Sequence, residues 1–332
     1  MTARRDLSIA VLGDGGWGTT LAIHLHQLRH RVRLWGAFPE YVKRLATRRE
    51  NVKFLPGIPL PRSLAITANL GEALDDAELV ILAIPSQFMR RVVRRLSAAG
   101  LDRTIFVSVA KGLEQRSLKR MSEVIAGELG RVPLAVLSGP NIAREIAQGH
   151  PASSVVASRN RAVAERVQAA LMSDRLRLYT STDVAGVELG GALKNPIAIA
   201  AGIADGLGFG ANAKAALMTR GLVEMARLGA ALGARPDTFW GLSGLGDLVT
   251  TCLAGRNRWF GEQMGRGRPA KAVLASTPMV IEGVETSKAA TALGRRCRVE
   301  LPIIEQVHAI VSGRRSPRAA LEALMRRAPK SE

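Results

Sequence analysis

Along the first half of the chain, short runs of aliphatic and β-branched residues alternate with stretches whose apolar positions recur every three to four residues. Leu7–Leu12, Val32–Trp35, Leu79–Ile84, Thr104–Val109, Leu134–Leu137, Ser154–Val156 and Leu176–Thr180 read as strands, and Gly, Pro or Ser follows most of them. Continuous apolar runs separated by helical periodicity predict a parallel sheet covered by helices on both faces. After Thr180 the strand runs stop. From Asp183 onward Ala, Leu, Gly and Met dominate long helical stretches, and Thr182 or Asp183 can cap the first helix, through Leu189, Leu193 and Ile197. The pattern predicts an α/β chain, with a doubly wound sheet over residues 1–181 and an all-helical domain over 182–332. The tail from Ala328 to Glu332 is expected to fray.

Composition narrows the class. The 332 residues are 47% hydrophobic and 23% charged with 33 Gly and 15 Pro, which excludes fibrous and disordered chains. No window approaches the ~18 apolar residues of a membrane span. The run at Leu7–Leu12 is too short for a signal peptide and leads into a glycine turn instead of a cleavage site. Cys252 and Cys297 fit no zinc or redox spacing, which suits the cytoplasm.

Charge is the outlying feature: 47 Lys+Arg against 28 Asp+Glu leave a net +19. Arg90, Arg91, Arg94 and Arg95 cluster, yet aromatics are 4% and no nucleic-acid-binding signature accompanies the basic residues. The field is read as one that draws in a small phosphorylated substrate, with no nucleic acid as partner.

Gly13-Asp-Gly15-Gly16-Trp17-Gly18 directly follows a strand and precedes a helix. In that context Gly13 permits the tight turn, Gly15 lets backbone N–H groups approach a pyrophosphate, and Gly18 lets helix pack on strand. This makes the N-terminal domain Rossmann-like and implies NAD(H) or NADP(H). Where the second strand ends at Trp35, Gly36, Ala37 and Phe38 follow and the first acid is Glu40, so the usual ribose-reading carboxylate is missing and NADPH is permitted.

Other candidates stand at strand ends and in the helical half. Lys111 and the turn Ser138-Gly139-Pro140-Asn141 lie on the edge where such sheets bind ligands; alone, the lysine is an ordinary surface charge and the turn an ordinary helix cap. Lys194 and Asn195 interrupt an apolar helix just before Pro196, which should kink the helix and open a polar notch. The lysine either snorkels to water or, desolvated beside a cofactor, exchanges a proton. Asp247 either caps a helix or pairs with a lysine, and Gly255-Arg256-Asn257 is either a solvated basic loop or a phosphate anchor. Met279-Val280-Ile281-Glu282 is a further ambiguous patch.

These residues, taken in order, resemble bacterial NAD(P)-dependent glycerol-3-phosphate dehydrogenase over essentially the full chain. The match runs through Gly13–Leu21, Phe54–Gly57, Ala110–Gly112, Ser138–Pro140, Gly191–Asn195 and Gly206–Asn212, then through Thr219–Leu222, Leu245–Leu248, Arg256–Arg258, Glu282–Val284 and Leu301–Gln306. The resemblance implies NAD(P)H-dependent reduction of dihydroxyacetone phosphate to sn-glycerol 3-phosphate for phospholipid synthesis, by a homodimer. It also implies that Lys194 is the proton donor or acceptor, Lys111 a substrate and cofactor contact, and Asp247 the partner of Lys194. Gly139, Asn141, Gly255, Arg256 and Asn257 fall on substrate positions. Gly16, Trp17, Ala143, Val280 and Glu282 fall on cofactor positions, which Lys111 and Arg256 share. Ala37 and Phe38 replace the family's basic residue and its neighbour, Gly16 and Asn141 stand where Ser or Thr is common, and Gly255 replaces a serine.

Three other readings are carried alongside: a related hydroxy-acid dehydrogenase, a nucleotide-sugar dehydrogenase relying on a nucleophilic cysteine, and a non-catalytic NADPH sensor. The last has no use for Lys194 with Asp247.

Overall fold

The computed structural model describes residues 6–96 and 103–329. The start of the chain and the last residues of the tail expected to fray lie outside these.

Among the described residues eight strands form one sheet: β1 (Ser8–Leu12), β2 (Arg31–Trp35), β3 (Ala65–Thr67), β4 (Leu79–Leu82), β5 (Ile105–Ser108), β6 (Leu134–Ser138), β7 (Ala152–Ala157) and β8 (Leu176–Ser181). Their order is β3-β2-β1-β4-β5-β6-β7-β8. The order reverses about β1, so the crevice beyond the carboxyl ends of β1 and β4 is the topological switch point. Every pairing is parallel except β6 with β7. That exception corrects the expected parallel sheet: a short helix at Ala143–Ala147 carries the chain from β6 back along the sheet without a full crossover. β3 was not among the expected strands; three residues with Ala65 exposed give no hydrophobic run to read.

The helices of this half are α1 (Gly16–Gln27), α2 (Pro39–Arg48), α3 (Leu70–Leu74), α4 (Ser86–Val93), α5 (Met121–Leu129), α6 (Ala143–Ala147) and α7 (Arg161–Leu171). Alternation along β1 sorts the core into two layers. Ile9 and Val11 pack with Leu21, Leu25 and Val167 from α1 and α7, while Ala10 and Leu12 pack with Met89, Val93 and Ile125 from α4 and α5. With both faces covered, each buried aliphatic side chain contributes ~1.5–3 kcal/mol.

The second half holds α8 (Val184–Gly206), α9 (Ala211–Ala231), α10 (Asp247–Leu253), α11 (Arg256–Gly265), α12 (Ala270–Ala275), α13 (Glu282–Cys297), α14 (Pro302–Val311) and α15 (Pro317–Met325). Asp183 caps α8, its Oδ1 accepting from Gly186 N–H at 2.9 Å. The helix continues unbroken through Pro196. Strand gives way to helix at Ser181, but compactness divides the chain later. One unit comprises the residues up to Lys111 with Arg120–Glu188, and the other Gly112–Lys119 with Leu189 onward.

Two glycines set the packing of the helical unit. A Cβ on Gly202 would stand 1.9 Å from the Arg258 carbonyl oxygen, and one on Gly261 would stand 2.0 Å from that of Ile199. Helices α8 and α11 therefore cross backbone against backbone, which seats Asn195 and Asn257 side by side. Among the described residues no helix is long and apolar enough to cross a membrane, and no cluster of three or more potential metal ligands occurs.

Candidate functional site

In the sheet unit the site begins at the turn after β1. Gly13 has φ 122°, and a Cβ there would meet the Ala83 carbonyl oxygen at 2.3 Å. On Gly18 it would stand 1.9 Å from the Gly13 carbonyl oxygen, whereas beside Gly15 there is open space within 4 Å. The first and last glycines are thus compelled by packing, and the middle one leaves room for a ligand over the N-terminus of α1. Gly16 has its own cause: a Cβ would lie 2.6 Å from the Phe54 carbonyl oxygen, so a serine or threonine there requires the Phe54 segment to shift. Ala143, at the start of α6, borders this loop and accepts a 3.0 Å hydrogen bond at its carbonyl from Thr20 Oγ1. Asn51 clamps the turn by donating to the Asp14 carbonyl at 2.8 Å and to Thr19 Oγ1 at 2.7 Å.

Buried polar atoms without a hydrogen-bond partner mark the same edge. Among the described residues these are Asp14 Oδ2, Trp17 Nε1, Ser108 Oγ, Ser138 Oγ, Asn141 Nδ2 and Thr286 Oγ1. All but the last follow or end β1, β5 or β6, at the carboxyl edge where open α/β sheets bind ligands. Unsatisfied buried groups are costly, so a run of them along one edge fits a polar ligand there, and a glycine-framed turn fits a dinucleotide pyrophosphate. Trp17 and Asn141 were read from sequence as site residues; the role of Asp14, Ser108 and Ser138 was not. Nearby, Lys111 Nζ donates to the Gly139 carbonyl at 2.7 Å. Gly139 reaches that orientation with φ 149°, its Cα facing Ser154 so closely that a Cβ would stand 2.9 Å from the Ser154 Cα. Ser154 Oγ in turn donates to Asn141 Oδ1 in a short contact.

In the helical unit, Gly190 opens the way for the second cluster. A Cβ there would meet the Ser243 carbonyl oxygen at 2.5 Å, so the single turn of π-helix at Leu242–Gly246 lies directly on α8. One helical turn beyond Gly190, on the same face, is Lys194. Its Nζ donates to Asp247 Oδ1 at 2.7 Å and, in a shorter contact, to Thr251 Oγ1. Lys194 is 5% exposed and Asp247 1%, so the ammonium is neither snorkelling nor solvated. Asp247 is the first residue of α10, and its carboxylate pairs with the lysine. Thr251 went unassigned from sequence, although its spacing of four from Asp247 puts both on one face.

Beside this pair, Asn195 Oδ1 accepts from Asn257 Nδ2 at 2.9 Å, and Asn257 Oδ1 accepts from Gly283 N–H at 3.0 Å. The two asparagines tie α8, α11 and α13 together. Arg256, the first residue of α11, is exposed by surface area, yet the protein around it depresses its guanidinium pKa while Glu282 raises it. It remains a cation at neutral pH. Gly255 enters α11 with φ 106°, a conformation that serine adopts only with strain. Val280 is exposed, just ahead of Glu282 at the start of α13. Burial pushes the Cys252 thiol up to about 12, which leaves it protonated and poorly nucleophilic.

The chain matches two family models. One, described as the NAD-dependent glycerol-3-phosphate dehydrogenase N-terminus, covers residues 8–164, and the C-terminus of the same family covers 183–322. A glycerol-3-phosphate dehydrogenase (NAD(P)+) of Desulfitobacterium hafniense is 46% identical over 326 residues, 98% of this chain and 92% of its own. The protein of that name from Citrifermentans bemidjiense is 48% identical over 330 residues, 98% of each. The crystal structure of glycerol-3-phosphate dehydrogenase from Coxiella burnetii matches with a TM-score of 0.93 at 37% identity, covering 97% of this chain and 99% of that one.

Proposed function

The chain belongs to the NAD-dependent glycerol-3-phosphate dehydrogenase family, and from that premise we propose how its own residues carry out the reaction. The reaction is the reversible NAD(P)H-dependent reduction of dihydroxyacetone phosphate to sn-glycerol 3-phosphate. The reduced nicotinamide, when bound, supplies a hydride to the substrate carbonyl carbon. What the chain must add is a grip on two phosphorylated molecules and a proton for the carbonyl oxygen.

The single observation carrying the assignment is the buried pair of Lys194 and Asp247, 2.7 Å apart. Reduction of a ketone builds negative charge on oxygen, and a preorganised ammonium in a site poor in water both stabilises that charge and delivers a proton. Asp247 and Thr251 hold the ammonium in place, so no reorganisation is required as the charge develops. Lys111, anchored by the Gly139 carbonyl, is assigned to a contact with substrate and cofactor by family membership.

Arg256 carries the charge that holds the substrate phosphate, and Gly255 gives it backbone N–H groups at the start of α11. Asn257, tied to Asn195 and Gly283, fixes that turn. The dinucleotide is held by Gly13, Gly15, Gly16 and Gly18 through backbone approach, with Trp17 and Ala143 beside that turn; Val280 and Glu282 are assigned to the cofactor, and Asn141 to the substrate, by family membership. A thiol route of the nucleotide-sugar dehydrogenase kind through Cys252 is disfavoured by its protonated state. The enzyme is assigned to the cytoplasm, supplying glycerophospholipid synthesis, and to a homodimer, both by family membership.

The test is decay of cofactor absorbance on addition of dihydroxyacetone phosphate, with the product identified as sn-glycerol 3-phosphate. Turnover with a 2-keto acid and none with dihydroxyacetone phosphate would transfer the assignment to a hydroxy-acid dehydrogenase.

A further inference from the structure

The turn after β1 carries a side chain that the dinucleotide reading leaves unused. Asp14 lies between Gly13 and Gly15, and its Oδ2 is buried without a hydrogen-bond partner among the described residues. The turn that carries it is held in place, with Asn51 Nδ2 donating to the Asp14 carbonyl at 2.8 Å and the Gly13 N–H to the Trp35 carbonyl at 2.9 Å. The carboxylate points at the end of β2. A Cβ built on Gly36 would stand 2.3 Å from Asp14 Oδ2 and 2.6 Å from Val42 Cγ2. The carboxylate thus fills the space that a side chain at position 36 would enter.

That place has a known use in doubly wound folds: an acid at the end of the second strand accepts from the adenosine ribose 2′-hydroxyl and repels a 2′-phosphate. The chain has no acid there, since Gly36, Ala37 and Phe38 follow Trp35. Resting on the dehydrogenase reading above, we infer that Asp14, reaching across from the glycine turn, replaces the missing strand-end acid and sets the preference for NADH over NADPH. Burial with no donor makes the carboxylate costly in the empty turn, and a ribose hydroxyl supplies the O–H it lacks. A phosphate dianion in the same place meets a second negative charge in a desolvated setting. Burial also raises the Asp14 pKa, against the pull of its own backbone hydrogen bond and of Lys53. Lys53, whose Nζ lies 4.9 Å from the centre of the Phe54 ring, and Tyr41, whose hydroxyl donates to Asn51, complete the charged and titratable surroundings. Arg44 lies over the Tyr41 ring at 5.6 Å.

The experiment is equilibrium titration of the full chain with NADH, NADPH and 2′-deoxy-NADH, followed by quenching of tryptophan fluorescence. Wild type is expected to bind NADH at least ~10-fold more tightly than NADPH and to lose a similar factor with the 2′-deoxy nucleotide. In Asp14→Ala and the isosteric Asp14→Asn the NADH-to-NADPH ratio falls by ~10-fold or more, and the penalty for the deoxy nucleotide shrinks in Asp14→Ala. The comparison of nucleotides on wild type needs no variant to fold. NADPH binding as tightly as NADH to wild type, or an unchanged ratio in both variants, overturns the inference. If wild type binds none of the three nucleotides, the dehydrogenase reading itself fails and takes the inference with it.

Discussion

The glycine turn of the sheet unit and the lysine pair of the helical unit solve opposite problems. At the turn the chain offers backbone. Three glycines within six residues are compelled by carbonyl oxygens 1.9–2.6 Å from where a Cβ would be, and the binding groups are N–H donors that every residue has. At the pair it offers two charges, 53 residues apart in sequence, buried together against a turn of π-helix. A backbone site is specified by what is left out and is written in one short segment. A side-chain site is specified by what is buried, and only packing brings its parts together.

That contrast is sharpest in stability. Lys194→Met removes the cation beside the buried Asp247 carboxylate, so the helical unit should lose ~3–5 kcal/mol in chemical denaturation. The double variant Lys194→Met with Asp247→Leu should recover most of it. If the single variant is as stable as wild type, the pair is not a buried charge pair in solution.

A second buried carboxylate extends the comparison to pH. Glu224 accepts from Ile303 N–H at 2.7 Å and Ile304 N–H at 3.2 Å, holding the start of α14. Burial, outweighing those bonds, lifts its carboxyl to about 7. The folded chain then keeps a proton that the unfolded chain releases near 4.5, so this contribution is full below pH 4.5 and is lost as pH rises to about 7. The loss amounts to as much as ~3 kcal/mol. The stability difference between wild type and Glu224→Gln, measured at pH 4.5 and pH 7.5, should shift against wild type at the higher pH. A difference independent of pH would show that the two N–H donors keep Glu224 ionised throughout.

At the turn, Gly18→Ala forces a Cβ against the Gly13 carbonyl oxygen. The cost is that of overpacking, ~1–3 kcal/mol, with nucleotide affinity falling by at least ~10-fold while Gly15→Ala, in open space, keeps the fold and loses affinity alone. Equal stability loss in the two variants would contradict the distinction between them. The smallest effect is expected at Arg256. Arg256→Ala should raise KM for dihydroxyacetone phosphate by ~10-fold and leave kcat near wild type, as for an anchor that grips ground state and transition state alike.

The same contrast explains what was legible in the sequence. Strands β1, β4, β5 and β6 announce themselves because residues buried on both faces are almost all apolar, whereas β2, β7 and β8 keep polar or exposed positions and are read from shorter aliphatic and β-branched runs. β3 does not, being three residues long with Ala65 exposed. The reversal between β6 and β7 left no trace, because a strand reads alike in both directions. Gly13, Gly15 and Gly18 were readable with their roles. Lys194 stood out as a charge in an apolar helix, but residue spacing alone left its partner open between a lysine contact and a helix cap for Asp247. Thr251, Ser108 and Ser138 carry no pattern that separates them from ordinary threonines and serines. Asp14 was in plain view, yet its direction depends on Gly36 and Asn51, which lie on other segments.

The most direct test of the central assignment is single-variant kinetics at Lys194. With dihydroxyacetone phosphate and NADH at saturation, Lys194→Ala should lower kcat by ~10²–10⁴ while the nucleotide dissociation constant, measured by fluorescence titration on the same preparation, stays within about twofold of wild type. A folded Lys194→Ala protein that binds nucleotide normally and turns over within about threefold of wild type would show that the proton comes from another group.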